Sequence, residues 1–245
     1  MIFGSNPLLH RYQMTIVLYD KAPPADQVTA QILRLVAKYV SDLSLLSVPE
    51  SNVLHAVYRW TLPCEVDMYL QRIGQMPNAP VELLVAFESP GSDVVAGFVL
   101  YLPLPANSEA CGVTYMAVDE PHRRRGVGSL LMREVISRYP HVELTCPVKK
   151  VLYYERLGFQ VIDSHISQVV MNTRAESATE LMGIVDAAKI MDLPQVQQIY
   201  AHLIQRWGVK EVRRAEKQLE RHRDQLIRHA EQYAQKRLSP SIPNH

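Results

Sequence analysis

Val118-Asp119-Glu120-Pro121-His122-Arg123-Arg124-Arg125-Gly126-Val127-Gly128-Ser129 runs straight into an amphipathic stretch, Leu130 to Tyr139. An apolar strand end, a basic turn, a Gly-x-Gly step and a helix start follow one another without a gap. Such a junction asks for an anionic ligand. A helix N-terminus presents unpaired N–H groups and a partial positive charge, and both suit phosphate. Gly126 and Gly128 let a ligand approach the backbone closely, because neither carries a Cβ and both tolerate positive φ. Arg123, Arg124 and Arg125 add charge and forked donors that match phosphate oxygens. A Gly-x-Gly alone is a weak signal; its basic neighbours and the helix behind it give it weight.

A second stretch, Leu152-Tyr153-Tyr154-Glu155-Arg156-Leu157-Gly158-Phe159, lies one helix, one strand and the start of another helix further on. Together the two segments resemble the GNAT superfamily of N-acetyltransferases. Arg123 to Gly128 matches its Arg/Gln-x-x-Gly-x-Gly/Ala signature, and Tyr154 to Phe159 is similar to its Tyr-Glu-Lys-Leu-Gly-Phe segment. The resemblance is firm from Val81 to Asn172, extends to Thr15, and is absent beyond Thr173. It implies an α+β fold, a mixed central sheet flanked by helices.

Composition sets the outer bounds. At 245 residues, 47% hydrophobic and 21% charged, the chain has the make-up of an ordinary globule with one domain and an appendage. Cys64, Cys111 and Cys146 are its three cysteines, none in Cys-x-x-Cys spacing, so neither a zinc site nor a disulfide framework is expected. No signal segment opens the sequence and no apolar run reaches membrane-span length, which makes cytoplasmic residence the default expectation. The net charge of +1 hides an asymmetry. Ten Lys/Arg face five Asp/Glu between Arg206 and Arg237, leaving sixteen against twenty elsewhere.

Periodicity places the elements. A short β-branched strand is expected at Thr15 to Tyr19, a helix from Gln27 to Val40 and another from Glu65 to Gly74, with Leu43 to Trp60 ambiguous. Trp60, Cys64 and Asp67 are read either as acceptor-pocket residues or as packing. Strands follow at Val81–Phe87, Val94–Leu102 and Gly112–Val118, then a helix over Val127–Tyr139 and a strand over Val142–Cys146. A helix from Pro147 to Leu157 should end at Gly158 in a left-handed cap. Phe159–Ile162 and Ser167–Asn172 close the sheet. Beyond Thr173 the pattern turns helical: Ala178–Ile190; a helix capped by Asp192, with Pro194 in its first turn and Gln195 at the capping-box position, ending near Gly208; and a charged helix from Val209 to Leu238. The final Ser-Ile-Pro-Asn-His stretch is expected to be disordered. The expected division is therefore a GNAT domain over 1–173 and a helical extension over 174–245.

The resemblance implies acetyl-coenzyme A as donor, a primary amine as acceptor and direct attack in a ternary complex. Arg123, Arg124, Arg125, Gly126, Val127, Gly128 and Ser129 would hold the pyrophosphate. Met116, Ala117 and Val118 would offer backbone groups to the pantetheine arm, in the manner of an added strand. Lys149 or Lys150 would either reach a phosphate or be solvated. Tyr154 stands where the family keeps its general acid; the alternative is a core tyrosine beside Tyr153. A thiol leaves with pKa about 8.5 against about 10 for tyrosine, so the phenol can protonate the departing sulfur. The base is unassigned, because Cys111 to Val118 contains no carboxylate; Tyr115, Glu88 and His55 are the candidates. An alternative function follows from that gap and from the long extension: a binding or regulatory protein that keeps the fold without turnover and uses the helical extension to bind a partner. Val212, Ala215, Leu219, Leu226 and Tyr233 form a helical seam, read either as a coiled coil or as packing on the body or on a second subunit. A homodimer or protein partner through these helices is one expectation. The basic excess also raises nucleic acid, but solvation explains a charged helix more simply.

Overall fold

A computed structural model describes residues 14–179 and 182–239. Seven strands form one sheet in the order β1-β2-β3-β4-β5-β7-β6: β1 (Thr15–Tyr19), β2 (Glu82–Phe87), β3 (Val95–Leu104), β4 (Asn107–Val118), β5 (His141–Cys146), β6 (Gln160–His165) and β7 (Gln168–Asn172). Every pairing is antiparallel except β4 with β5. That parallel pair follows from its connection, since a helix crosses between the two strands. The mixed sheet flanked by helices is the fold class expected from the sequence.

Helices α1 (Asp26–Lys38), α2 (Val40–Leu43) and α3 (His55–Leu70) precede β2, and α4 (Val127–Arg138) and α5 (Val151–Glu155) lie either side of β5. One core joins α1 and α3 to the sheet through residues such as Ile32, Val36, Val66 and Phe98. A second joins α4 and α5 through Leu131, Val135, Val151 and Met171. After β7 come α6 (Ala188–Met191), α7 (Pro194–Trp207) and α8 (Val209–Leu238).

Several boundaries differ from the sequence-based expectation. Helix α3 begins at His55 rather than Glu65 and carries Pro63 inside it. An interior proline costs about 3 kcal/mol. Burial of Leu62, Val66, Tyr69 and Leu70 offsets it, at about 1.5–3 kcal/mol per large apolar side chain. The stretch expected as helix from Pro147 to Leu157 is a 3-10 turn, Val148–Lys150, followed by the five-residue α5, and Gly158 ends it at φ 95°. The cap of α7 is Leu193, one residue beyond Asp192, and no side chain bonds to it.

The largest difference is Ala178–Ile190, expected as one helix. Of its described part only Ala188–Met191 is helical. Residues 182–187 are instead an irregular strap whose polar backbone groups bond outside any helix. Val185 N–H donates to the Tyr69 hydroxyl at 2.9 Å, and Arg72 donates to the Gly183 carbonyl at 2.9 Å. Gly183 passes so close to Ala79 that a Cβ there would lie 2.5 Å from the alanine Cβ. Tertiary contacts outweigh the amphipathic pattern.

The seam on α8 packs on the body. Val212, Ala215 and Leu219 meet Val48, Leu54, Val57 and Leu203, and Asn52 Nδ2 donates to the Ala215 carbonyl at 3.0 Å. Further along, Ala230 and Tyr233 join the core on the α4 side, and Arg237 pairs with Glu155. The Ser-Ile-Pro-Asn-His stretch lies outside the described residues. No described helix is long and apolar enough to cross a membrane.

Candidate active site

Where β4 meets β5, pairing stops at Val113↔Leu144, although β4 continues to Val118 and β5 to Cys146. On the other side of β4, the register with β3 shifts between Tyr115 and Val113, leaving Thr114 as an extra residue. Such a bulge bends its strand. Beyond it the two parallel strands part and leave a wedge in the sheet. Antiparallel partners alternate in the direction of their backbone groups. Asp119 N–H bonds to Ala96 O, so Ala117 turns its backbone groups towards Phe98, while those of Met116 and Val118 face the wedge.

The basic turn closes one end of this wedge. Asp119 starts it, accepting from Lys38 Nζ and the Tyr39 hydroxyl at 2.8 Å each and from Glu120 N–H at 2.9 Å. Burial works against the ionised Asp119, but these hydrogen bonds win and hold its carboxyl below the usual range. Arg123 Nε donates to the Val118 carbonyl at 3.0 Å, and its guanidinium lies 4.0 Å from the Tyr39 ring centroid. Arg124 has φ 61° and Gly126 φ 84°, so the chain enters the left-handed region twice within the turn. Helix α4 then begins at Val127, directly after Gly126.

The two glycines serve different needs. Gly126 supplies the left-handed φ, and a Cβ there would meet nothing within 4 Å. At Gly128 the requirement is space: a Cβ would lie 2.8 Å from the Tyr153 hydroxyl oxygen.

Two connected cavities result. A cleft of about 420 Å³ is bordered by Met116, Ala117, Val118, Arg123, Arg124 and residues 126–129. Arg125 is the member of the expected set that does not border it. His122 Nδ1, on this cleft, is buried without a hydrogen-bond partner among the described residues, and the buried Tyr153 hydroxyl has only Ser129 beside it. A larger chamber of about 660 Å³ lies on the other side of the wedge. Met116, Lys150, Tyr154, Asp42 and Leu43 border both spaces and so mark the neck between them.

Tyr154 stands at that neck because Gly158 reverses the chain after α5, and the Phe159 N–H returns to the Tyr154 carbonyl at 3.2 Å. Its ring packs edge-on against Tyr153 and Phe159, with centroids 4.9 and 5.7 Å away. Burial, reinforced by Cys146 and Tyr153, pushes its hydroxyl well above the ordinary tyrosine range, so the phenol stays protonated. Lys150, beside it, is pushed down by burial. Lys149 is exposed and pairs with Asp42 at 3.3 Å.

Sequence reasoning missed the chamber's carboxylate. Glu65, on α3, accepts a hydrogen bond from the Tyr115 hydroxyl at 2.8 Å, and both residues line the chamber. Burial raises the Glu65 carboxyl, and the bond from Tyr115 partly opposes the shift. The signal was present in the sequence: Tyr58, Leu62, Glu65 and Tyr69 fall on one helical face, so a carboxylate sits in an apolar stripe. Of the other candidate bases, Glu88 lies in the β2–β3 turn, and His55 stands 3.3 Å from Ser41 Oγ; neither borders the chamber. Trp60 packs under the C-terminal helices, and Cys64 and Asp67 do not border the chamber either. Among the described residues no cluster of His, Cys, Asp or Glu is placed to hold a metal ion.

Residues 80–161, which span β2 to the start of β6, match the family model for the acetyltransferase (GNAT) domain. The chain carries a GNAT domain. No curated protein matches the sequence. Among solved structures, one from Corynebacterium glutamicum, described as histone acetyltransferase HPA2 and related acetyltransferase, is 18% identical. It covers 68% of this chain and 99% of its own, with a TM-score of 0.47. An acyl-CoA N-acyltransferase from Pseudomonas aeruginosa is 13% identical, covering 66% and 100%, with a TM-score of 0.46. A GNAT-family acetyltransferase from Staphylococcus aureus is 10% identical, covering 66% and 99%, with a TM-score of 0.45. In this GNAT domain the basic turn, the strand wedge and Tyr154 all fall inside the matched segment, whereas Glu65 and residues 182–191 lie outside it.

Proposed function

We propose that this protein moves an acetyl group from acetyl-coenzyme A to a primary amine by direct attack in a ternary complex. The observation that carries the reading is the position of Tyr154, a protonated phenol at the neck between an anion-binding cleft and a second chamber. GNAT domains use acetyl-coenzyme A generally, and acyl transfer fits the domain as a class. The cleft suits that donor: its glycine-lined helix start favours a pyrophosphate, and the buried His122 Nδ1, without a partner among the described residues, borders it. In this reading the N–H groups of residues 126–129, with Arg123 and Arg124, hold the phosphates. Met116 and Val118 present backbone groups to the pantetheine arm, although Arg123 already occupies the Val118 carbonyl. Bound there, the coenzyme supplies a thioester: the amine nitrogen bonds to its carbonyl carbon as the carbon–sulfur bond breaks.

Two protons then need managing. An alkylamine with pKa about 10.4 arrives almost wholly protonated at neutral pH, and Glu65 is the carboxylate placed to take its excess proton. A carboxyl raised by burial is a stronger base than an ordinary one, so the shift favours the role. Tyr154 gives its proton to the departing sulfur, the second proton that the nitrogen sheds as the amide forms restores the phenol, and Glu65 releases its proton to solvent. The reading without turnover drew on the missing carboxylate, and Glu65 weakens that motive.

Calorimetry with acetyl-coenzyme A, paired with thiol release over an amine panel, tests the proposal. Micromolar-range binding with release supports it; binding without release from any amine favours the regulatory reading. Two variants refine it. Arg123→Ala should weaken coenzyme binding by about 1.5–3 kcal/mol, the range for a charged hydrogen bond. A loss no larger than about 0.5–1 kcal/mol, the value of its exposed stacking on Tyr39, would leave Arg123 a turn-building residue. Glu65→Gln should lower kcat/KM about 10²-fold at neutral pH. The wild-type acid limb should sit above the ordinary carboxylate range, because the folded group is raised, and it should vanish in the variant. An acid limb unchanged by Glu65→Gln would remove Glu65 from proton transfer.

A further inference from the structure

We propose that the acceptor chamber takes a small primary amine with one positive charge and an apolar body, which packs against the strap of residues 182–191. This deepens the transfer reading above and depends on it for the identity of the reacting group.

The walls argue first. Leu45, Met182 and Ile184 are 44%, 37% and 71% exposed, yet all three border the chamber, together with Met116, Val113 and Leu62. Large apolar side chains left open around a concave space mark a site for an apolar ligand. At about 660 Å³ the space is in the range that encloses a small molecule.

The charges argue next. Three carboxylates border the chamber, and each has one oxygen hydrogen-bonded: Asp42 by Lys149, Glu143 by the Asn172 amide at 3.0 Å and Glu65 by the Tyr115 hydroxyl at 2.8 Å. Among the described residues only Asp42 has a cation as that partner, and Lys150 adds one positive charge to the lining. Glu65 and Glu143 against Lys150 leave a small negative excess, which suits a monoamine and disfavours a polyamine, whose second ammonium would meet apolar wall or Lys150.

The strap forms one wall. It is held by two hydrogen bonds, Val185 N–H to the Tyr69 hydroxyl and Arg72 to the Gly183 carbonyl, and Val185 itself is buried in the core. Met182 lies over Gly112 so closely that a Cβ on Gly112 would fall 2.0 Å from its sulfur. Residues 42–46 and α3 line the same space, whose rim is open at Leu45 and Ile184. These apolar walls would leave the backbone polar groups of a peptide acceptor unpaired.

The test uses the full chain and two readouts. Calorimetry measures binding of butylamine, pentylamine, hexylamine, 2-phenylethylamine, spermidine and a lysine peptide to the coenzyme A-loaded protein. Thiol release from acetyl-coenzyme A measures turnover of the same set. Affinity and kcat/KM should rise about 4-fold per added methylene, as for buried apolar groups. Spermidine and the peptide should fall at least tenfold below hexylamine. Ile184→Asn and Leu45→Asn, both at exposed positions, should lower hexylamine affinity severalfold by removing apolar wall without adding charge, while acetyl-coenzyme A affinity stays unchanged. Turnover that favours spermidine or the peptide, or a flat alkyl series, would overturn the acceptor class and leave acetyl transfer standing. An alkyl-dependent binding series without thiol release would do the reverse. Absence of both binding and release would remove both.

Discussion

Replacing Tyr154 by Phe is expected to cut turnover by about 10²–10⁴-fold, the range for removing a general acid, with coenzyme binding and folding intact. The substitution deletes one hydroxyl and keeps the ring, so the edge-on contacts with Tyr153 and Phe159 survive. The deficit should appear in single-turnover measurements of the chemical step. It should shrink with an acyl donor whose thiol has a lower pKa, because a better leaving group needs less help. Burial raises the Tyr154 hydroxyl, so the phenol remains protonated across the working range and no basic limb of the wild-type profile should belong to it. Tyr153→Phe is an informative comparison, since that hydroxyl borders the donor cleft beside Gly128. Its effect should fall on coenzyme affinity. Equal, small effects of both substitutions on the chemical step would reduce Tyr154 to packing.

Gly128→Glu should abolish coenzyme binding in calorimetry. It adds a Cβ 2.8 Å from the Tyr153 hydroxyl, at the end of a half-buried ring packed edge-on against Tyr154, so the ring must shift. It also sets a negative charge at the start of α4, where the ligand's phosphate is expected. Gly126→Glu should act by a different route. Its Cβ has open space, so the loss comes from the charge and from the left-handed φ of 84°, which costs a non-glycine residue roughly 1–2 kcal/mol. A double substitution separates the steric part: Gly128→Ala alone should weaken binding, and Tyr153→Phe in the same chain should restore part of it. Full affinity in both glutamate variants, with unchanged thermal unfolding, would remove the phosphate-cradle assignment.

The order of strands around the basic turn was legible because each carries its own punctuation. Ser89-Pro90-Gly91 marks the β2–β3 turn, and Gly158 ends α5 with the expected positive φ. The start of α3 was not legible, because Leu43 to Trp60 was ambiguous. Its buried face begins at Val57 and carries the helix through Pro63, a residue that normally breaks a helix interior. The strap was illegible for a related reason. Its apolar residues follow helical spacing, but their partners, Tyr69, Arg72 and Ala79, stand about 100 residues earlier, and no local pattern encodes that pairing. The donor half of the candidate site is local, one turn and one helix start, and was readable for that reason. The acceptor half is assembled from segments far apart in sequence, so Glu65 emerged only when α3 was set against Tyr115.

The strap's place in the chain has a consequence for synthesis. All residues bordering the donor cleft precede residue 155, whereas the chamber's strap begins only at residue 182 and is followed by α7 and α8. A ribosome adding roughly 5–20 residues per second therefore delivers the coenzyme-facing half first, and selection among acceptors is the last property the nascent chain acquires.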